Sequence, residues 1–286
     1  VELWRINSSG RAVMVEDNIP GGGISSAGSD SSPANLTNVG GTLYFSANDG
    51  TNGIELWRIN NSGIAEMVED SIPGGGINRA GSHSEPAQLT NIGGTLYFVA
   101  TESDFTGQEL WRINALGIAE IVEDAVPGGG IRPGTGSSGV RNLTNVNGTL
   151  YFTSNDGTNG TELWRVNTAG VAVMVEDSVP GGGIRPGSAS SIQGYSYFTN
   201  VGGTLYFTAN DGTNGVELWR INSAGTAEIV EDAIPGGGIA PGSASSSPSQ
   251  FANINGQLYF SASDGTNGVE LWRINSSGFA QMVEDA

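Results

Sequence analysis

Acidic side chains recur at fixed places along this chain, and their spacing points first to cation chemistry. The loop sequence N-D-G-T-N-G, or a close variant of it, places one carboxylate in each of four copies, at Asp49, Asp156, Asp211 and Asp264. Side-chain oxygens of Asp, Asn and Thr are ligands that Ca²⁺ accepts. The alternative is a hairpin loop in which Asp and Asn bond nearby backbone N–H groups. The sequence therefore predicts either calcium sites or structural turns here, and it favours turns.

A second set of carboxylates precedes the Gly-rich run P-G-G-G-I, as Glu69 and Asp70 do before Pro73. Backbone oxygens of such a run, together with carboxylates, could also hold a hard cation. The candidate calcium ligands in this set are Asp70, Asp124, Asp177 and Asp232. The alternatives are an Asp that closes a turn and a carboxylate that pairs with the Arg of a repeated E-L-W-R motif. We favour these structural roles and consider Ca²⁺ as the only candidate cofactor.

Nucleophilic catalysis finds little support in the composition. The chain has no Cys and no Lys, and its one His, His83, lies in a linker where we expect it to be solvated. Nucleophile–base pairs normally need a His or Lys beside a Ser, Thr or Cys. We therefore predict that the protein is not an enzyme and has no catalytic residues.

Six Trp residues occupy one fixed position of a repeat. Exposed Trp can stack on sugar rings, but Trp within an apolar strand is more often part of a core. We favour the core for this series, which consists of Trp4, Trp57, Trp111, Trp164, Trp219 and Trp272.

These residues are positioned by a repeat of about 53 residues. Its marks are L-Y-F, E-L-W-R and V-E-D, separated by Gly-rich turns. In the copy from Pro86 to Asp124, short runs rich in apolar, aromatic and β-branched residues predict four strands, with Gly93 and Gly94 as a tight hairpin turn. No segment has helical periodicity over the length of a helix. Four antiparallel strands per repeat predict an all-β fold, a β-propeller.

The number of blades follows from counting motifs. Five complete repeats end near residues 70, 124, 177, 232 and 285, and an N-terminal half-repeat, 1–24, has E-L-W-R and V-E-D but not the hairpin that contains L-Y-F. We predict one propeller domain over 1–286 with six blade positions, one of them half-filled, and keep five blades as the alternative.

The net charge of the chain limits the classes of molecule that we expect to bind it. Asp and Glu total 29 against 11 basic residues, a net charge of −18. Nucleic-acid binding needs a basic face, so we expect no nucleic-acid partner. No apolar run has the length of a membrane span, so we expect no membrane insertion. A glycan, a protein surface and other copies of the chain remain possible partners.

The repeats resemble the ELWxxDGT, or hyalin-like, repeats of large secreted bacterial proteins. The matching features are L-Y-F, N-D-G-T-N-G, E-L-W, the end of the V-x-D strand and the Pro-Gly after it, although turns such as 7–10 replace the family's Asp-Gly-Thr after E-L-W. The resemblance implies a propeller-like fold, an extracellular or cell-surface location and no particular enzyme activity.

Together these features predict a non-enzymatic extracellular module for binding, adhesion or surface assembly, stabilised by Ca²⁺ if the loops bind it. A multivalent carbohydrate-binding lectin and a structural subunit of an extracellular filament or array are the alternatives.

Overall fold

The structure, a computed structural model, contains β-strands, turns and loops in the residues that it describes. These are residues 1–17, 23–25, 29–71, 76–78, 82–102, 107–125, 130–132, 136–178, 183–193, 197–234 and 237–283. They fall into two compact units, Val1–Leu143 and Thr144–Ala286. The prediction of one domain over 1–286 stays a prediction. None of the described residues belongs to a helix that could cross a bilayer.

The first ten strands lie in the first unit. They are β1 (Trp4–Ile6), β2 (Ala12–Met14), β3 (Ala34–Val39), β4 (Thr42–Asn48), β5 (Ile54–Ile59), β6 (Ala65–Met67), β7 (Ala87–Ile92), β8 (Thr95–Glu102), β9 (Gly107–Ile113) and β10 (Ala119–Ile121). β1 and β2 form a two-stranded sheet, and β3–β6 and β7–β10 each form a four-stranded antiparallel sheet in sequence order.

Twelve further strands follow, and the boundary between the units falls within the first of them. They are β11 (Arg141–Val146), β12 (Thr149–Asn155), β13 (Thr161–Val166), β14 (Ala172–Met174), β15 (Phe198–Val201), β16 (Thr204–Asn210), β17 (Val216–Ile221), β18 (Ala227–Ile229), β19 (Ser249–Ile254), β20 (Gln257–Ser263), β21 (Val269–Ile274) and β22 (Ala280–Met282). They form three four-stranded sheets, β11–β14, β15–β18 and β19–β22.

The sheets confirm the predicted fold class, an all-β fold built from propeller blades. Over the described residues there are five four-stranded sheets and one two-stranded sheet, which match six blade positions with the first half-filled. Gly93 and Gly94 both have positive φ, 57° and 91°, between the paired residues Ile92 and Thr95. This is the two-residue hairpin turn that the sequence predicts.

Successive blades of each unit pack face to face. In the first unit, Leu56 and Tyr44 of one blade share a core with Phe98 and Trp111 of the next. In the second unit, the counterparts are Leu218 and Tyr206 against Phe260 and Trp272. A strand with a blade on each side must be apolar on both faces, which explains the continuous L-Y-F and L-W runs.

The Trp series belongs to the core, as predicted, with one exception. Trp57, Trp111, Trp164, Trp219 and Trp272 are 3–4% exposed. Trp4 is 59% exposed. It lies in the two-stranded sheet, where β2 flanks β1 but, among the described residues, no strand takes the place that β4 has beside β5 in a complete blade.

Candidate functional site

The carboxylates of the N-D-G-T-N-G loops are held by their own loops. Asp156 Oδ1 accepts the backbone N–H groups of Thr158 and Asn159, each at 2.8 Å, and its Oδ2 accepts the Asn159 amide at 2.7 Å. The same three bonds occur around Asp49, Asp211 and Asp264. Partial burial raises the pKa of Asp156, but these bonds lower it overall. This is the turn geometry that the sequence favours for these residues.

The Glu-Asp pairs also take part in turns. Asp232 Oδ1 accepts the N–H of Ile234 at 2.6 Å, and Glu69 Oε2 accepts the N–H of Gly76 at 3.2 Å. Asp70 is buried, at 7% exposure, and Asp124 and Asp177 stand at the same repeat position. Pro73 and the other prolines of P-G-G-G-I lie outside the described residues.

Calcium binding by these residues stays a prediction. Among the described residues, no three or more His, Cys, Asp or Glu side chains form a group that could hold a metal ion. The candidate Asp residues therefore do not converge with other acidic side chains on a shared metal position in the part of the chain that the structure describes.

The repeated Arg pairs with a carboxylate other than the one considered from the sequence. Arg58 Nε donates to Glu66 Oε1 at 2.5 Å, and Arg112 and Arg220 bind Glu120 and Glu228 at 2.6 Å. These Glu residues lie directly opposite the Arg on the last strand of the blade. Side chains directly opposite each other on adjacent strands lie close together, whereas the Glu-Asp pair lies beyond the end of the strand. The Arg therefore pairs with the cross-strand Glu.

Sequence reasoning missed the most deeply buried acids, the Glu residues of E-L-W-R. Glu55, Glu109, Glu162 and Glu217 are all 0% exposed. Glu55 Oε1 accepts the Ser84 N–H at 3.0 Å, while its Oε2 accepts the Ile77 N–H at 3.0 Å and the Ser84 hydroxyl at 2.7 Å. The available signal was a Ser that follows each of these Glu residues at a separation of 29 residues.

Burial changes the ionisation of these four carboxyls. Desolvation raises the pKa of Glu55, Glu109, Glu162 and Glu217 to about 7, against the lowering effect of the Ser and backbone hydrogen bonds. The described groups that donate hydrogen bonds to Glu55 are uncharged, so none of them offsets as a cation the cost of burying its negative form. The four carboxyls are structural groups that join each E-L-W-R strand to the segment leading into the next repeat.

His83 has a structural contact in addition to its exposure to solvent. Its Nδ1 accepts the N–H of Ile54 at 2.9 Å. In two other repeats a Ser hydroxyl takes this place, Ser190 for Thr161 and Ser245 for Val216. His83 is exposed, as expected, and it also replaces a Ser acceptor at the start of a strand.

A cleft in the second unit brings together side chains that are distant in sequence. It encloses about 500 Å³. Among the described residues, four acids line it, Asp177, Asp211, Glu228 and Glu231, together with one basic residue, Arg220, and the exposed aromatic ring of Phe279. Two of these acids, Asp177 and Asp211, are among the candidate residues from the sequence, but their separation along the chain does not predict that they share a cleft.

Hydrogen bonds fix the acids of this cleft. Glu231 Oε2 accepts the N–H of Gly238 at 3.2 Å, and Asp211 is held by its loop. Glu228 is neutralised by Arg220, which also donates to the carbonyl of Gly278 at 2.9 Å. Neutral donors orient Asp211 without cancelling its charge, so the cleft has an acidic wall.

Three solved structures similar to this chain are hydrolases, each of low sequence identity to it. A puromycin hydrolase matches 92% of the chain with 14% identity and a TM-score of 0.40. An engineered GH43 glycoside hydrolase with endo-xylanase and exo-arabinofuranosidase activity matches 90% with 13% identity and a TM-score of 0.30. An acylaminoacyl peptidase of Pyrococcus horikoshii matches 97% with 10% identity and a TM-score of 0.32. The chain spans 40%, 53% and 46% of these three proteins. Comparisons with protein-family models and with curated proteins gave no match.

These comparisons correct the predicted function. The prediction was a non-enzymatic extracellular binding or scaffold module, with a lectin and a filament subunit as alternatives, whereas the similar structures are hydrolases. Likeness at this level assigns no activity and does not settle whether the chain is an enzyme. What stands is the propeller fold, and we withdraw the predicted function and its alternatives. Membership of the ELWxxDGT family, an extracellular location and the absence of nucleic-acid partners stay predictions.

Proposed function

We propose that the protein binds a small organic cation, one that carries amino or guanidinium groups, in the cleft of its second unit. The observation that carries this proposal is the charge of the lining, four carboxylates against one guanidinium. A cleft walled by one sign of charge concentrates ligands of the opposite sign. The net charge of −18 acts in the same direction over longer distances.

The size of the cleft suits a small molecule. Its volume of about 500 Å³ lies within the usual range of small-molecule sites. Phe279, at 45% exposure, offers a ring to a bound ammonium or guanidinium group. An aromatic face attracts such a cation by about 0.5–1 kcal/mol at an exposed site.

The spread of the acids favours an organic cation over a metal ion. A metal ion needs several oxygen ligands at 2.3–2.6 Å or less, and the described residues contain no group of three acids or His that meets this need. A polyamine carries its charges several bonds apart, so it can meet Asp211 and Glu231 separately. The proposal concerns binding and assigns no reaction.

Calorimetric titration with spermidine tests this proposal. The double variant Asp211→Asn/Glu231→Gln removes two charges from the cleft, and Asn can still accept the backbone N–H bonds that shape the loop. We expect spermidine affinity to fall at least about tenfold, equivalent to ~1.4 kcal/mol.

A matched control separates the cleft from the general acidity of the protein. Asp49→Asn/Glu69→Gln removes the equivalent two charges from the first unit. We expect it to change the affinity less than about twofold, because neither residue lines the cleft and salt screens charges outside a binding site. Equal loss in both double variants, or no loss in the cleft variant, would contradict the proposal.

A further inference from the structure

In three repeats, the carboxylate of a Glu accepts hydrogen bonds from the same two side chains, an Arg and an Asn. The pairs are Arg58–Glu66, Arg112–Glu120 and Arg220–Glu228. The Asn two residues after each Arg donates to the second oxygen of the Glu, at 3.2 Å from Asn60, 3.0 Å from Asn114 and 3.2 Å from Asn222. Arg Nε and Asn Nδ2 thus form a small carboxylate clamp within the blade.

The repeat of β11–β14 keeps this clamp but lacks its carboxylate. Arg165 faces Val173 across the strands, where the other three repeats have Glu. Among the described residues, the Arg165 side chain has no hydrogen bond or ion pair. Asn167 is still present, and its Oδ1 accepts the N–H groups of Ala169 and Val171, which leaves its Nδ2 available.

The second contact of the repeated Arg is also missing at Arg165. Arg58 Nη1 donates to the carbonyl of Gly117, and Arg220 Nη1 to that of Gly278, each at 2.9 Å. No such bond joins Arg165 to Gly225, the equivalent residue of the adjoining blade in the second unit. The guanidinium N–H groups of Arg165 therefore have no hydrogen-bond acceptor among the described residues. A guanidinium is planar, and it binds most strongly when two acceptors match its fixed geometry.

Solvent reaches the carboxylate position in the other three repeats, and Arg165 and Val173 are likewise partly exposed. Glu66, Glu120 and Glu228 have side chains 30–37% exposed in their own repeats. Cavities of about 240 and 450 Å³ lie beside the Arg58 and Arg220 clamps. Valine lacks the Cδ and the two oxygens of glutamate, so the place of the carboxylate group is not filled by Val173.

We propose that Arg165 and Asn167 bind the carboxylate of a small organic acid from solution, in the place that a Glu fills in the sister repeats. Tyr151 lies across the strand from Arg165 and borders the site. The site is separate from the acidic cleft and takes a ligand of opposite charge. Because the protein as a whole repels anions, we expect weak binding by a compact carboxylate, with a dissociation constant on the order of 10 mM.

The test follows the guanidinium Nε–H resonances of the whole chain by NMR during titration with sodium acetate. Sodium chloride at the same ionic strength is the reference. We expect a saturating shift at Arg165 with acetate alone, and no comparable shift at Arg58, Arg112 or Arg220. The same response to both salts would overturn the proposal.

Two variants exchange residues between sister repeats, so each introduces a side chain that this position already carries elsewhere in the chain. Val173→Glu supplies the carboxylate internally and should abolish the acetate response of Arg165. Glu66→Val should create an acetate response at Arg58. The unchanged resonances of Arg112 and Arg220, which keep their Glu partners, verify the fold in both variants. A persistent response in Val173→Glu, or none in a folded Glu66→Val, would contradict the assignment.

Discussion

The hydroxyl of Ser84 donates a hydrogen bond to Oε2 of Glu55 at 2.7 Å, across 29 residues of chain. Both residues are 0% exposed. Glu162 with Ser191 and Glu217 with Ser246 form the same bond at 2.6 Å. A neutral hydroxyl and backbone amides are therefore the partners of a carboxyl that is excluded from water.

Stability should fall as the pH rises from about 5 to 8. A carboxyl whose pKa is higher in the folded chain than its usual 4.5 stabilises the fold fully below that value, and this contribution is lost as the pH rises through about 7. The loss is on the order of 3 kcal/mol for each such carboxyl. Glu55→Gln, which cannot ionise, should reduce the fall in unfolding free energy by about that amount, measured by chemical denaturation at pH 5 and pH 8.

An exposed carboxyl provides the control for this measurement. Glu85→Gln changes the net charge equally but alters a solvent-exposed side chain. It should leave the pH dependence almost unchanged. If Glu55→Gln also leaves it unchanged, Glu55 is ionised in the folded protein and our account of the buried carboxyls is wrong.

Removing the Ser84 hydroxyl should destabilise the first unit. Ser84→Ala takes away a buried hydrogen bond to Glu55, which typically costs about 1–3 kcal/mol. The hydroxyl also lowers the pKa of Glu55, so its loss should raise that pKa further. Ser62→Ala, at an exposed turn, should change the unfolding free energy by less than about 0.5 kcal/mol. Similar losses in the two variants would argue against the bond.

Two Trp residues of the second unit should differ in their response to the same substitution. Trp164 Nε1 donates to the carbonyl of Ser154 at 3.1 Å, whereas Trp219 Nε1 is buried without a partner among the described residues. Trp→Phe removes similar volume at both positions. Trp164→Phe should therefore cost about 1 kcal/mol more than Trp219→Phe in urea denaturation. Equal costs would show that the indole bond contributes nothing.

Much of the fold could be predicted because the repeat is visible as a pattern. Strands such as β5 and β8 follow from short runs of apolar, aromatic and β-branched residues between Gly-rich turns, and the solitary E-L-W-R hairpin at the start predicts the two-stranded sheet. Trp57 could be assigned to the core since a bulky apolar residue at a fixed strand position is normally buried.

The candidate sites could be predicted only in part. Asp211 and Asp177 were selected as acids, but their meeting with Phe279 in one cleft depends on how chain segments converge in the second unit. The burial of Glu55 was missed because a charged residue suggests exposure, and most of its partners are backbone amides, which residue types do not reveal.

Calcium binding by the loop acids has its own test. If Ca²⁺ binds at Asp156, it should raise the melting midpoint of the EDTA-treated protein, because a ligand of the folded form stabilises it by mass action. Asp156→Ala should lose part of that increase. An identical increase with Mg²⁺, or one that the variant retains, would place the effect elsewhere.

A crystal structure of the protein with spermidine is the most direct test of the acidic cleft. We predict density for the polyamine between Asp211 and Glu231, with one amino group near the ring of Phe279. An empty cleft in crystals that hold spermidine elsewhere, or density that persists unchanged in Asp211→Asn/Glu231→Gln, would contradict the proposed function.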